Sequence, residues 1–288
     1  MNFPLTTWRL VRSLPASGAW NMAVDDAILE ASGGGLALPT LRLYAWTPPC
    51  LSLGYAQPVT DALPAVLEQR GWELVRRPTG GRAILHTDEL TYSVAGPLNE
   101  PRLAGSVLES YRVLAAALLR ALQILGVSAQ AQEKPSAVPA STAVNSTANS
   151  AGPPNPNPVC FEAPSNYEIT VQGKKLIGSA QARRKEGVLQ HGSLPLCGDL
   201  SRIVQTLEFP DATARAQAAE RLLARAATAE QSLGYPLAWE QAAQAFAGAF
   251  AEVLNIELIP TDLTPGELQR AGALLREKYA HPTWTTRV

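Results

Sequence analysis

The chain has 288 residues, a formal net charge of −1, 46% hydrophobic and 17% charged residues. This is an ordinary globular make-up, long enough for one large domain or a domain with an appendage. Near-neutrality speaks against a general nucleic-acid binder, whose affinity rests on neutralising phosphates. No apolar run is long enough for a membrane-spanning helix, and MNFPLTTWRLVRS lacks the apolar core of a signal peptide.

In chain order, SGAWNMAVDDAILEAS (17–32) predicts a helix capped by Ser17 and stopped by Gly33-Gly34-Gly35. Strands are expected at 41–46, 50–54, 72–77 and 90–96, with the glycine turn PTGGRAILH between the last two. Val107, Tyr111, Leu114, Leu118, Leu122 and Leu125 recur at helical spacing, with Ser106 and Glu109 as a capping box and Gly126 at the end. Residues 131–159 then carry six prolines, no aromatic and two charges, which predicts a disordered insert. YEITV (167–171) and KKLIGSAQ, joined by Gln172-Gly173, read as a hairpin, and 188–196 as another strand. From 199 the pattern turns helical, at 212–230, at 238–254 and from Thr264-Pro265 to about Tyr279. The order of elements suggests α+β: mixed and antiparallel sheets with flanking helices. The expected domains are a catalytic domain at 1–198 and a helical extension at 199–288 packed on it.

The three cysteines, Cys50, Cys160 and Cys197, fit neither a disulfide framework nor a zinc site, and a reducing cytoplasm is the default. Cys50 lies in an apolar run and reads as a small buried hydrophobe, whereas Cys160 opens CFEAPSNYE after the proline-rich stretch. A thiolate there would be a strong nucleophile, though many free cysteines are merely buried. The turn Arg76-Arg77-Pro78-Thr79-Gly80-Gly81-Arg82 brings three arginines to paired glycines after a strand. It reads either as a tight turn with solvated arginines or as a close approach to carboxylate or phosphate oxygens. His86 and His191 are ambiguous between packing and chemistry. Lys174, Lys175, Arg183, Arg184 and Lys185 face one acid, Glu168, and form a basic stretch. Gly178-Ser179-Ala180 leave room in mid-strand for a close neighbour. No P-loop and no GxGxxG after a strand is present.

Taken together, WNMAVDDAIL, RRPTGGRAILH, GKKLIGSAQARRKEGVLQHGS and KYAHPTW resemble the biotin and lipoate protein ligase superfamily, from about Trp8 to Trp284. Within it, CFEAPSNYE looks most like the cysteine-dependent octanoyltransferases. The resemblance implies that superfamily's catalytic-domain fold. It also implies transfer of octanoyl from acyl carrier protein, through a cysteine thioester, to a lysine of a lipoyl domain. The acceptor would be a glycine cleavage H protein or a 2-oxoacid dehydrogenase E2, with no cofactor, no nucleic acid and no membrane involved. By that resemblance, Cys160 matches the acyl-accepting cysteine and Lys175 the family's lysine, chosen over Lys174 because the pattern is Lys-x-x-Gly-Ser-Ala and Lys175 stands three before Gly178. Arg77, Thr79, Gly80, Gly81, Arg82 and His86 match the loop over the acyl group, and Gly178, Ser179 and Ala180 complete the lysine motif. The insert 131–159 departs from relatives, which reach the cysteine by a shorter stretch. Rival readings are an ATP-dependent lipoate ligase, an octanoyl amidotransferase between lipoyl domains, and a non-catalytic module that binds acylated domains. Ligases commonly have a third glycine where this chain has Arg82.

Overall fold

A computed structural model describes residues 3–133 and 167–288. The chain order is β1 (Thr6–Arg12), α1 (Gly18–Gly33), β2 (Thr40–Tyr44), β3 (Cys50–Leu53), α2 (Pro64–Gln69), β4 (Glu73–Arg76), β5 (Ile84–His86), β6 (Glu89–Gly96), α3 (Val107–Ile124) and β7 (Gln130–Glu133). There follow β8 (Tyr167–Val171), β9 (Lys174–Arg184), β10 (Gly187–Pro195), α4 (Ala212–Arg225), α5 (Ala229–Leu233), α6 (Trp239–Leu254), β11 (Ile256–Pro260), α7 (Pro265–Leu274) and α8 (Pro282–Thr285).

Eight strands form one mixed sheet in the order β11-β1-β2-β6-β10-β9-β8-β7, and β4-β3-β5 form a small second sheet. β1 runs parallel to β2 and β11, while the pairs from β2 through β6, β10, β9, β8 and β7 are antiparallel. Side chains alternate across a strand, so each strand serves two layers. Leu41 and Leu43 of β2 and Tyr92 and Val94 of β6 join the core beneath α3 and α6, with Leu118, Phe246 and Phe250. The alternate positions Tyr44 and Ala95 join Met22, Ile28 and Leu29 of α1 on the opposite face, where α7 adds Ala271 and Leu274. A third core, with Leu51, Leu53 and Leu222, lies between the small sheet and α4.

The α+β architecture is as expected, with differences traceable to tertiary contacts. The helix expected over 212–230 is two, because Ala226 is extended and Thr228 opens a new capping box with Gln231. There the backbone serves the sheet: the Ala227 N–H donates to the Lys175 carbonyl at 3.0 Å. Within the stretch expected to be helical, β11 instead adds a parallel edge strand to β1. Gln130–Glu133 pairs antiparallel with β8, so the insert read as 131–159 begins with strand, and 134–159 lies outside the described residues. The glycine turn also ends in a short strand, β5, paired with β3.

Candidate functional site

The site sits where the α1 face of the large sheet meets the small sheet. Helix α1 is buried from Asn21 through Leu29, which takes Asp25 and Asp26 out of water. Burial alone would raise the Asp25 carboxyl, but the Arg42 guanidinium and His191 outweigh it and hold it below its ordinary value. Asp25 Oδ1 accepts from Arg42 Nη1 at 2.7 Å and from Ser93 Oγ at 2.8 Å, and Oδ2 accepts from Tyr44 OH at 2.9 Å. Burial and the neighbouring carboxylate push the Tyr44 phenol well up, so it stays a donor. His191 Nδ1 lies 3.5 Å from Asp25 Oδ2, and its Nε2 meets Thr79 Oγ1 at 2.6 Å. Burial, assisted by Arg77 and His86 and opposed by Asp25, lowers the His191 imidazole. A neutral ring facing a carboxylate carries its proton on Nδ1, so Nε2 accepts the Thr79 hydroxyl.

A second chain of the same kind stands beside it. Glu89 Oε1 accepts from His86 Nδ1 at 2.6 Å, Thr91 Oγ1 at 2.6 Å and Ser193 Oγ at 2.8 Å. These donors, His86 foremost, override the burial that would raise the Glu89 carboxyl and hold it low. The His86 ring stacks on Trp46 at 3.9 Å between centroids, and Trp46 Nε1 donates to Thr91 Oγ1 at 2.8 Å. Ring orientation is thus fixed on three sides, and Nε2 meets Ser52 Oγ at 2.8 Å.

The loop after β4 closes the site. Arg77 donates through Nη2 to the Gly80 and Arg82 carbonyls, at 2.8 and 2.7 Å, and through Nη1 to the Ser52 carbonyl at 3.0 Å. Arg76 holds the carbonyls of Gly54, Gln57 and Thr285 in the same way, at 2.7, 2.6 and 2.7 Å. Both arginines are buried and hold backbone, which corrects the alternatives of solvated arginines or a ligand fork for this pair. Gly81 has φ +93°, and a Cβ there would stand 2.8 Å from Arg77 Nη2. A Cβ on Gly54 would stand 1.9 Å from the Gly81 carbonyl oxygen, so the two backbones touch here because residue 54 is glycine.

Beneath this loop is a cavity of about 290 Å³. Met22, Tyr44, Trp46 and Ile84 give it apolar walls, and Ser52, His86, His191, Lys175 and Ser179 are among its polar lining. Lys175 is buried on β9, its Nζ 3.3 Å from Glu168 Oε1.

Of the residues singled out in the sequence, Arg77, Gly81, Arg82, His86, Lys175, Gly178, Ser179 and Ala180 line the cavity. Thr79 lies behind the loop on His191, Gly80 lines the outer face of the loop, and Cys160 lies outside the described residues. Cys50 is fully buried, and burial followed by Glu73 and Glu89 pushes its thiol well up; burial and Asp88 also raise Cys197. The basic stretch does not form one face. Lys174 Nζ donates to the Leu223 carbonyl at 3.0 Å and Arg184 pairs with Asp26 at 3.2 Å. Arg183 donates to the Leu103 carbonyl at 2.9 Å, and Lys185 is 90% exposed. Sequence reading missed Asp25, Ser52 and Glu89 as site residues. The signals were present: paired acids inside an apolar helix, and an acid three residues after His86.

The lipoyl protein ligase A/B catalytic-domain model matches residues 17–251. The octanoyltransferase LipM of Kyrpidia tusciae is 40% identical over 98% of this chain and 100% of its own length, and that of Brevibacillus brevis 38% over 97% and 99%. A bipartite lipoate protein ligase from Thermoplasma acidophilum, solved in a study of it and its E2 lipoyl domain, shares the fold. Its TM-score is 0.78 at 22% identity, covering 98% of this chain and 96% of that one. A lipoate-protein ligase A bound with ATP gives 0.74 at 22%, covering 98% and 99%. The chain therefore belongs to the lipoyl protein ligase A/B catalytic-domain family and is an acyltransferase of its octanoyltransferase branch.

Proposed function

We propose that the chain takes octanoyl from acyl carrier protein onto Cys160 and passes it to a lysine ε-amine of a lipoyl domain, such as that of glycine cleavage H protein or a 2-oxoacid dehydrogenase E2. The observation that carries this reading is that Lys175 and His86 share one apolar-walled cavity beneath the Gly80–Arg82 loop. Six methylenes buried against Met22, Tyr44, Trp46 and Ile84 contribute about 5 kcal/mol, at roughly 0.8 each. The Cys160 thiolate attacks the thioester carbonyl, the carrier thiolate leaves, and the acyl-enzyme remains. The acceptor amine then attacks that carbonyl, the Cys160 sulfur leaves, and an amide forms. The Lys175 ammonium stabilises the oxyanion of both steps electrostatically. His86 takes the amine's proton: Glu89 holds its Nδ1–H, which leaves the Nε2 lone pair toward Ser52 and the cavity.

One further observation supports Cys160 as nucleophile. Cys50 and Cys197, the cysteines among the described residues, are both held as thiols by their surroundings. A thioester donor is already activated, so the scheme needs no nucleotide or cofactor. The test is intact mass after mixing with octanoyl carrier protein without ATP. One octanoyl adduct is expected on the wild type and none on Cys160→Ala. An adduct that persists in the variant overturns the assignment of the nucleophile. A requirement for ATP and free lipoate makes the chain a ligase. Transfer only from an octanoylated lipoyl domain makes it an amidotransferase.

A further inference from the structure

Outside the cavity, across the same glycine loop, lies an open groove of about 710 Å³. Gly81 and Arg82 belong to both spaces, so the groove leads to the cavity mouth. Strand β9 also runs through both, with Gly178–Ala180 on the cavity and Gln181–Arg184 on the groove. Four cations line the groove: Arg82, Arg183, Arg184 and Lys278. Two carboxylates answer them. Asp26 is shared by Arg184 at 3.2 Å and Lys278 at 2.6 Å and also accepts from Tyr279 OH at 2.5 Å, while Asp61 stands 3.9 Å from Arg82. Arg183 donates to neutral acceptors, the Leu103 carbonyl at 2.9 Å and Ser110 Oγ at 3.4 Å. The groove therefore carries excess positive charge in a chain with a net charge of −1.

We propose that this groove binds the phosphodiester of the donor's prosthetic arm, so that the enzyme recognises a phosphopantetheine thioester and not a bare acyl thioester. This rests on the reading that the donor is an acylated carrier protein. The reach fits. At about 3.3 Å per strand residue, Ser179 and Arg184 lie about 16 Å apart along β9. A pantetheine arm has about the backbone bonds of four to five residues and extends to about 15 Å. With the thioester beside Ser179, the phosphate falls beside Arg184 and Lys278, whose charged ends meet on the α1 side of β9, whereas the Arg183 head turns to α3. Cations already stand over one face of the groove's aromatic rings. Arg287 lies 4.0 Å from the Tyr55 ring centroid, and Lys278 lies 4.4 Å from that of Trp284.

The experiment compares octanoyl-pantetheine with octanoyl-4′-phosphopantetheine as small-molecule donors to the full chain, with a lipoyl domain as acceptor. The expected kcat/KM is about tenfold higher for the phosphorylated donor, the size of one partly exposed charge-assisted contact. That preference falls below about threefold in Arg184→Gln/Lys278→Gln, and because it is a ratio, a general loss of activity cancels. Equal use of the two donors by the wild type overturns the inference and leaves the acyl-transfer reading standing. Failure of both small donors while octanoyl carrier protein still acylates the chain overturns the inference alone, and failure of octanoyl carrier protein as well overturns that reading with it. Tighter inhibition by ADP than by 4′-phosphopantetheine makes the groove a nucleotide site and also overturns the inference.

Discussion

Two imidazoles share one arrangement, a carboxylate at Nδ1 and a hydroxyl at Nε2, but carry different duties. His86 faces the cavity through Ser52, and replacing it with Gln keeps the ring's approximate volume while removing the base. His86→Gln is expected to form the acyl-enzyme yet pass octanoyl to the acceptor amine about 100-fold more slowly. Single-turnover chase of pre-formed acyl-enzyme reads that step alone, and an unchanged chase rate would remove His86 from the mechanism. His191 instead ties Thr79 of the glycine loop to the sheet. Because its imidazole is lowered in the folded chain, the unfolded chain binds a proton first as the pH falls. Its contribution to stability is complete above about pH 6.5 and is drawn down as the pH falls toward its folded value. Urea midpoints should therefore slope downward below about pH 6.5, and His191→Gln should flatten that part of the curve. Asp25 and Glu89, both depressed on folding, contribute stability that is present above about pH 4 and lost as the pH falls through their folded values.

At the scale of elements, the glycine loop is positioned by backbone contact. Arg77 binds the Gly80 and Arg82 carbonyls, and the Tyr55 N–H donates to the Thr79 carbonyl at 2.9 Å. Gly54→Ala would press a methyl group onto the Gly81 carbonyl and lift the loop off the cavity mouth. The expected result is a KM for octanoyl carrier protein raised at least tenfold, with the chain still folded by circular dichroism. A KM within twofold of wild type would show that the loop tolerates the shift. Elements with self-contained signals were legible in the chain itself. Ser106 and Glu109 cap α3, and Thr264 and Glu267 cap α7, at the residues the sequence indicates. Where a strand depended on a distant partner, the signal failed. β11 is five residues whose pairing is with β1, some 250 positions away. The break at Ala226–Thr228 likewise answers to the sheet it touches.

Across the whole molecule, the C-terminal segment returns to brace the loop from outside. Trp284 Nε1 donates to the Arg76 carbonyl at 2.8 Å, Arg76 holds the Thr285 carbonyl, and the Val59 N–H donates to the Val288 carbonyl at 2.8 Å. Lys278 and Tyr279 add a second clamp, on Asp26 of α1. Trp284→Ala removes a half-buried ring and leaves an Arg76 carbonyl unmet, for an expected loss of about 3 kcal/mol in urea unfolding. A loss below about 1 kcal/mol would mean the segment rests on the loop without supporting it.

The sequence by itself determined the helix caps, most strand positions, the family, and the residues Lys175, His86 and Gly81 that line the cavity. Those depend on local spacing and on motifs contiguous in the chain. Only the tertiary structure decided that Asp25 stands behind His191, that Glu89 and Ser52 bracket His86, and that Arg76 and Arg77 hold backbone. The reason is physical: a buried charge is defined by its partners, and Asp25 finds Arg42, Ser93 and His191 on three different strands.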